Sequence, residues 1–518
     1  MEFLSEILLR NAEEYPDRTA VIQDERTLNY REMNREVNRL ANALKKHGIK
    51  KGNRAALLMR GSADWLLFLY ACQKIGVALV LIHLRQLPEE ILRMMTLADA
   101  NILIYDAEYS DKADYIAGHY TGELTFVCVG GSPERAGVLS FGQLMCEEDV
   151  TEAYTPLTDP EPSIILFTSG TTSASKGIVR TQEMMAHYCA LLRDDESRAR
   201  GDVMLTPSPL YHAAGLCCVV KMLENAGTLV LLNRFDSEKI CREIQRCRAT
   251  QVALVPPTSY RRLSSSGYPK RYDLSSVRLA HLAAGKASEE CLREVFEMFP
   301  NAGVRISWGS TEASNITELM LSRDEVNKNR ALLCSVGREN PVSELKLVAE
   351  DGSTVEGAGK GEAYVRSPLV FHGYLKAPEL TARCFSGGWF KTEDIIYRDE
   401  NGYCYLLDRK RDIIKTGGEN VYAQEVEQDI LKNSAISECA VVGIPDRKYG
   451  EAIAAAVVFQ PGCSLSAAEF VSFCRRVMPS FKKPKYWAVM PELPKNDVGK
   501  IQKNILKEKA GILFTPIV

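Results

Sequence analysis

Histidine is scarce in this chain of 518 residues. There are seven, none in an H-E-x-x-H pattern, which argues against a histidine-built metal centre. Cysteine is plentiful at fifteen, but C-x-x-C is missing, and the adjacent pair Cys217–Cys218 has the wrong spacing for zinc. An odd number of scattered thiols reads as buried, reduced side chains, so a reducing compartment, the cytoplasm, is predicted. An excess of one charge is also lacking. Sixty-four basic residues against 67 acidic ones leave a net charge of −3, no field for sequence-blind nucleic-acid binding. No apolar run approaches the ~18 residues of a membrane span; the longest, around Trp65–Cys72 and Val77–Leu84, are core-sized. The opening MEFLSEILLRNAEEYPDR carries acids early and no apolar block, unlike a signal peptide.

What is present is an ordinary globular composition, 46% hydrophobic and 25% charged, in a chain too long for one core. RTAVIQ (18–23), RAALLMR (54–60) and ALVLIHL (78–84) read as strands. Residues 30–49 place Met33, Val37, Leu40 and Leu44 on one helical face before Gly48 stops the helix. This alternation predicts layered α/β subdomains with mostly parallel sheets. Thr151–Pro162, rich in proline, threonine and acids, reads as a surface connection, and SIILFT (163–168), TLVLLN (228–233) and QVALVP (251–256) as further strands. From about 340 the pattern changes to short antiparallel hairpins, and after Arg409 to a small α+β module of about a hundred residues.

Chemistry concentrates in islands. Thr168-Ser-Gly-Thr-Thr-Ser-Ala-Ser-Lys-Gly177 carries six hydroxyls, two glycines and one charge, Lys176, directly after a buried strand. The carboxyl edge of a sheet is where open α/β folds bind ligands, and such a loop can wrap phosphate oxygens. It is no Walker A loop, because Gly177 stands where the magnesium-binding Ser or Thr belongs. PSPLYHAAG (207–215) holds His212; Trp308-Gly-Ser-Thr-Glu312 follows the strand VRIS; GWFKTED (388–394) sets Asp394 after a turn. YLLDRKRDIIKTGGEN (405–420) runs basic residues up to the double glycine Gly417–Gly418, and LPKNDVGK (493–500) ends in Lys500 on a glycine-containing loop. Singly, each also reads as a solvated turn.

Together, in this order, the islands resemble the acyl-adenylate-forming, AMP-binding superfamily over essentially the whole chain. The resemblance is to its acyl-CoA ligases, including the fatty and aryl acid types and the crotonobetaine/carnitine-CoA ligases, to whose spelling TSGTTS and GGEN are similar. It implies a large N-terminal AMP-binding domain (1–408) with the ATP and acid sites, a hinge (409–411) at Arg411, and a small mobile C-terminal domain (412–518) carrying the catalytic lysine, Lys500. Thr168, Ser169, Gly170, Thr171, Thr172, Ser173 and Lys176 would hold the β- and γ-phosphates of ATP. Trp308, where tyrosine is usual, would stack on adenine; Ser307, Gly309, Ser310, Ala284 and Gly285 would border the nucleotide. Thr311 would contact the α-phosphate, Glu312 would hold Mg²⁺, and Asp394 with Arg409 would bind ribose. His212 would close the acyl pocket, and Lys415, Gly417 and Gly418 would pass the pantetheine arm of coenzyme A.

The sequence departs from the pattern at Ser173 and Ser175 for glycine and proline, at Glu393 for glycine, and at Arg411 for aspartate or lysine. The implied activity is that of an ATP-dependent, AMP-forming carboxylic acid–CoA ligase. The basic tail from Arg475 to Lys509 suits free coenzyme A, with a solvated surface as the equal alternative. The runner-up activity is loading of a carrier protein, disfavoured because no carrier-like domain follows Val518. A nucleotide-binding regulator is disfavoured because Lys176, Glu312, Asp394, Arg409 and Lys500 are all present. The pocket segments Ala213–Cys218, Ala283–Ala287 and Ser314–Thr317 are small or weakly polar, with Lys286 the one cation, and leave fatty, aromatic and carnitine-type acids open. The residues do not settle an oligomeric state.

Overall fold

The computed structural model describes residues 2–131, 135–157, 161–168, 175–193, 201–285, 287–496 and 499–517. Ser169, Gly170, Thr171, Thr172, Ser173 and Lys286 lie outside them. The chain forms two compact units: Met1–Arg330 with Glu339–Glu344 and Arg366–Phe390, and Ala331–Arg338 with Leu345–Val365 and Lys391–Val518.

The first unit is built on two sheets. One runs Leu139–Ser140, Thr125–Val129, Ile102–Asp106, Arg54–Leu58, Ala78–Leu81, Pro162–Thr168, Lys176–Thr181. Every pair in it is parallel except the last, a hairpin. The other runs Ser314–Leu321, Gly303–Ser310, Leu279–Leu282, Gln251–Ala253, Val203–Thr206, Thr228–Leu231, Thr19–Gln23, Arg26–Asn29, parallel apart from the hairpins at its two ends. Strands covered on both faces need apolar side chains along their length, which is why Ala78–Leu81 and the stretch Leu229–Leu231 are continuous apolar runs buried throughout.

Two kinds of helix cover these sheets. Tyr30–Lys46 is amphipathic and starts with a capping box, Asn29 accepting from the Glu32 N–H while the Glu32 carboxylate accepts from the Asn29 N–H. Ala63–Lys74 is apolar nearly all round and buried at every position but Asp64, the pattern of a helix enclosed by its neighbours. Its one buried cation, Lys74, donates to Asn34, Asn38 and Glu152, so its charge is not buried alone.

In the second unit the strands are short and mainly antiparallel. Trp389–Arg398, from Lys391 onward, pairs antiparallel with Cys404–Arg409. The C-terminal sheet holds Glu419–Tyr422, Ile413–Thr416, Gly450–Phe459 and Tyr486–Val489, with Ile436–Asp446 on the free flank of Gly450–Phe459. Its two long strands alternate. Cys439, Val441, Ile453, Ala455 and Val457 pack on one face with Val426, Ile430, Phe470 and Trp487, while Ala440, Val442, Ala452, Ala454 and Ala456 pack on the other with Leu493, Leu506 and Phe514. Two small cores separated by one sheet follow directly from the two-residue period of a strand.

Candidate active site

Within the first unit, the hairpin Gly303–Ser310/Ser314–Leu321 positions one set of candidates. Trp308 does not follow a strand, as expected from VRIS; the strand runs on through it to Ser310, and its side chain is buried. Ladder pairing opposite Thr317 carries the strand past the point where the sequence pattern ends. Ser307 and Gly309 flank Trp308 on the same strand. A Cβ on Gly309 would stand 1.8 Å from the carbonyl oxygen of Ser314, so only glycine lets the two strands close here. The tip holds Thr311 and Glu312, with Ser310 Oγ accepting from the Ala313 N–H at 3.2 Å and Ser314 at φ +56°. Behind the tip, buried Arg180 donates to Ser314 Oγ at 2.6 Å and to the Thr311 carbonyl at 3.0 Å.

Thr168 and Lys176, at the two ends of the hydroxyl-rich segment, stand opposite one another in an antiparallel pair. The Arg93 guanidinium donates to the Ser175 carbonyl at 2.9 Å and pairs with Glu90 at 2.7 Å, fixing the far foot of that segment. Lys176 Nζ lies 5.1 Å from the ring centre of Tyr374, and the Tyr374 hydroxyl donates to Glu312 Oε1 at 3.0 Å. Lys176 and Glu312 thus share one aromatic neighbour, which the motif reading missed along with Arg93 and Arg180.

His212 caps the helix Ala213–Glu224 and meets the ring of His83 edge-on at 4.3 Å. Burial first, and the neighbouring His83 second, pull its imidazole down to about 3, so it is neutral at physiological pH. His83 Nε2 lies 3.2 Å from the Phe167 carbonyl, one residue before the hydroxyl-rich loop. Ala284 holds φ +60°, a conformation alanine rarely adopts, beside Gly285, whose added Cβ would touch Pro257 at 3.4 Å.

The second unit gathers the remaining charges. Asp394 sits in mid-strand rather than after a turn; the turn at Gly387–Gly388 comes earlier. It is buried and opposite Arg409 in the ladder, with Arg409 Nε 3.3 Å from its carboxylate. Glu393, just before it, takes φ +61°, which accounts for the glycine usual at that position. Lys500 stands on a loop closed by Asn496: the Lys500 N–H donates to Asn496 Oδ1 at 2.8 Å, and Asn496 N–H to the Lys500 carbonyl at 2.9 Å. One flank of Lys500 is open to solvent, but protein atoms crowd the rest. That desolvation and then the positive charge of Arg409 bring its ammonium down to about 8, Arg411 adding to the fall and Asp394 and Asp412 opposing it. Arg411 lies in the short helical turn Lys410–Asp412 and is itself shifted down, by desolvation and then by Arg409.

Gly417 and Gly418 form no strand. They are the two-residue turn joining Ile413–Thr416 to Glu419–Tyr422, with φ +59° and +88°, the pair of positive values a tight hairpin of this kind requires. Lys415 precedes the turn, its N–H held by Glu451 at 2.7 Å.

The AMP-binding enzyme family profile matches residues 8–375, and the AMP-binding enzyme C-terminal domain profile matches residues 425–500. The chain belongs to the AMP-binding enzyme family. It is 32% identical over 519 residues to the crotonobetaine/carnitine–CoA ligase of Salmonella paratyphi A, covering 96% of this chain and 97% of that one. Among solved structures it resembles the anthranilate CoA ligase AuaEII in complex with anthranoyl-AMP, with TM-score 0.91 and 25% identity over 99% of this chain and 98% of that one. ATP-bound MatB of Rhodopseudomonas palustris follows at TM-score 0.87 and 26% identity, over 98% and 99% of the two chains.

Proposed function

We propose that this chain is an ATP-dependent, AMP-forming ligase joining a carboxylic acid to the thiol of coenzyme A. The carboxylate attacks the α-phosphorus of ATP and pyrophosphate leaves; the thiol then attacks the acyl carbon and AMP leaves. The first step replaces a poor leaving group, oxide, by a good one, and so makes the second possible. The observation that carries this reading is the conjunction of Lys500, Arg409 and buried Asp394 in one cluster, a poised cation beside a carboxylate suited to ribose hydroxyls.

Each residue then has a task. The Thr168–Lys176 loop wraps the β- and γ-phosphates, Thr311 meets the α-phosphate, and Trp308, with Ala284, Gly285, Ser307, Gly309 and Ser310, borders the base. Asp394 accepts from the ribose hydroxyls with Arg409 beside it, and Lys500 neutralises charge that develops between carboxylate and α-phosphate. Neutral His212 closes the acyl pocket without adding charge to it. Lys415 and the Gly417–Gly418 turn receive the thiol arm. Residues 1–408 carry the ATP and acid sites, 412–518 the lysine, and 409–411 the hinge.

Mg²⁺ fits Glu312. The described residues contain no group of three or more His, Cys, Asp or Glu placed to cage a metal, whereas a single carboxylate is what a cation carried in on nucleotide phosphates needs. When bound, the ion screens the phosphate charge. Among the described residues no helix is long and apolar enough to cross a membrane. We place the protein in the cytoplasm on its scattered free thiols, which a reducing compartment keeps reduced.

The test is pyrophosphate release across a library of fatty, aromatic and carnitine-type acids, followed by thioester formation with free coenzyme A or with candidate carrier proteins. Acid-dependent pyrophosphate release and a coenzyme A thioester are expected. Release without any thioester to free coenzyme A would overturn the acceptor, and no release with any acid would overturn the activity.

A further inference from the structure

The segment Phe371–Leu375 is tied to both sides of the candidate phosphate site in the first unit. On one side, the Phe371 N–H donates to the Glu312 carbonyl at 2.7 Å, and the Tyr374 hydroxyl donates to the Glu312 carboxylate at 3.0 Å. On the other, Tyr374 bridges Ile178, and the Leu375 N–H donates to the Gly177 carbonyl at 2.8 Å, beside Lys176. The Tyr374 ring offers its face to the Lys176 ammonium at 5.1 Å, within the range of cation–π attraction. The ring itself is fixed. Buried Phe371 packs edge-on against it at 4.9 Å, and the Tyr374 backbone N–H donates to Thr381 Oγ1 at 2.9 Å.

A carboxylate has two oxygens, and a hydroxyl on one of them sets the direction in which the other is presented. The same ring limits where the Lys176 ammonium rests. From these contacts we propose that Tyr374 is a positioning residue of the adenylation step. Its hydroxyl orients Glu312 toward the magnesium carried by the nucleotide, and its ring holds Lys176 at the phosphate end of the same ligand. Tyr374 acts through these two groups and touches no reacting atom. This rests on Glu312 being the metal-binding carboxylate, as proposed above.

Replacing Tyr374 by Phe removes only the hydroxyl and keeps the ring. Partners that orient a metal-binding carboxylate typically contribute about 10–100-fold to metal affinity, so a loss of roughly tenfold in metal–nucleotide affinity is expected. Three measurements on the full chain read it: the Mg²⁺ concentration giving half-maximal pyrophosphate release, the dissociation constant of Mn²⁺–ATP by electron paramagnetic resonance, and thermal unfolding. For Tyr374→Phe, the first two rise by roughly tenfold. Unfolding and thioester formation from supplied acyl-AMP stay at wild-type values. In a Glu312→Gln background the same change has little further effect, because the group it orients is gone. Tyr374→Leu also frees Lys176 and adds a loss in ATP affinity that persists in that background. Unchanged metal dependence in Tyr374→Phe would overturn the proposal. So would an equal loss in both half-reactions with a lowered melting point, or an effect undiminished by Glu312→Gln. If the wild type releases no pyrophosphate with any acid, the function fails, yet the Mn²⁺–ATP measurement still decides whether Tyr374 orients a metal site.

Discussion

A lysine that titrates near 8 in the free enzyme makes adenylation sensitive to mild alkali. On the proposed mechanism Lys500 serves the first half-reaction only while it is an ammonium, and desolvation together with Arg409 brings it to about 8. At pH 9 about one-tenth of the free enzyme then keeps the charge, so kcat/KM for ATP in pyrophosphate release is expected to fall about tenfold between pH 7 and pH 9. Substrate carboxylates titrate well below this range and the last phosphate proton of ATP leaves at its lower edge, which leaves the descending limb above about pH 8 to the enzyme. Arg409→Gln removes the largest charge acting on Lys500 and should move the limb to higher pH, whatever it does to the absolute rate through ribose binding. Lys500→Ala should lose adenylation by ~10²–10³ and keep thioester formation from supplied acyl-AMP. The assay is coupled pyrophosphate release at subsaturating ATP from pH 6.5 to 9.5. A profile flat to pH 9.5, a limb retained in the residual activity of Lys500→Ala, or a limb moved downward in Arg409→Gln would refute the reasoning. The same shift has a stability counterpart. Between the folded value near 8 and the unfolded value of 10.5, the unfolded chain binds more protons, so stability rises with pH across that window. Below it the charge is a cost to the folded state. Lys500→Met should therefore melt higher than wild type at pH 7, a gain that fades above pH 10.

Two further outcomes are expected. Arg411→Pro fixes φ near −65° in the short turn Lys410–Asp412 and should trap one orientation of residues 412–518, sparing one half-reaction and slowing the other by orders of magnitude; wild-type rates in both would remove the hinge from Arg411. Glu393, at φ +61°, carries a left-handed cost of about 1 kcal/mol, so in chemical denaturation Glu393→Val should be destabilised by more than Glu393→Gly, and the reverse order would show that the backbone there is not strained.

Much of the architecture was legible because parallel strands buried on two faces have no other way to be written. Thr228–Leu231 and Pro162–Thr168 lie where continuous apolar runs put them, and Tyr30–Lys46 ends two residues before Gly48, which takes φ +80°. Leu139–Ser140 and Phe385–Ser386 were invisible. A two-residue strand has no period, and only a partner strand defines it. The same limit displaced Trp308 and Asp394. Trp308 was read as following a strand and Asp394 as following a turn, and each belongs to a strand, because ladder pairing with Thr317 and Arg409 carries the strand through it.

The chemistry-bearing motifs were legible as unusual local spellings, but their support was not. Tyr374 reaches Glu312 across 62 residues and Arg180 reaches Thr311 across 131, and no spacing rule spans such distances. The charge cluster of the second unit shows why the support matters. Lys500, Arg409 and Arg411 face Asp394, Asp412 and Glu393, three cations and three carboxylates held partly out of water. Both the lysine and Arg411 are pushed toward their neutral forms, so the free enzyme bears a cost that an anionic ligand removes on arrival. That cost is fixed in place by the strand pair holding Asp394 against Arg409 and by the Asn496 loop holding Lys500, before any nucleotide is bound. Charge already oriented needs no rearrangement when negative charge grows between carboxylate and phosphate, which is the condition for an electrostatic contribution to rate rather than to binding alone.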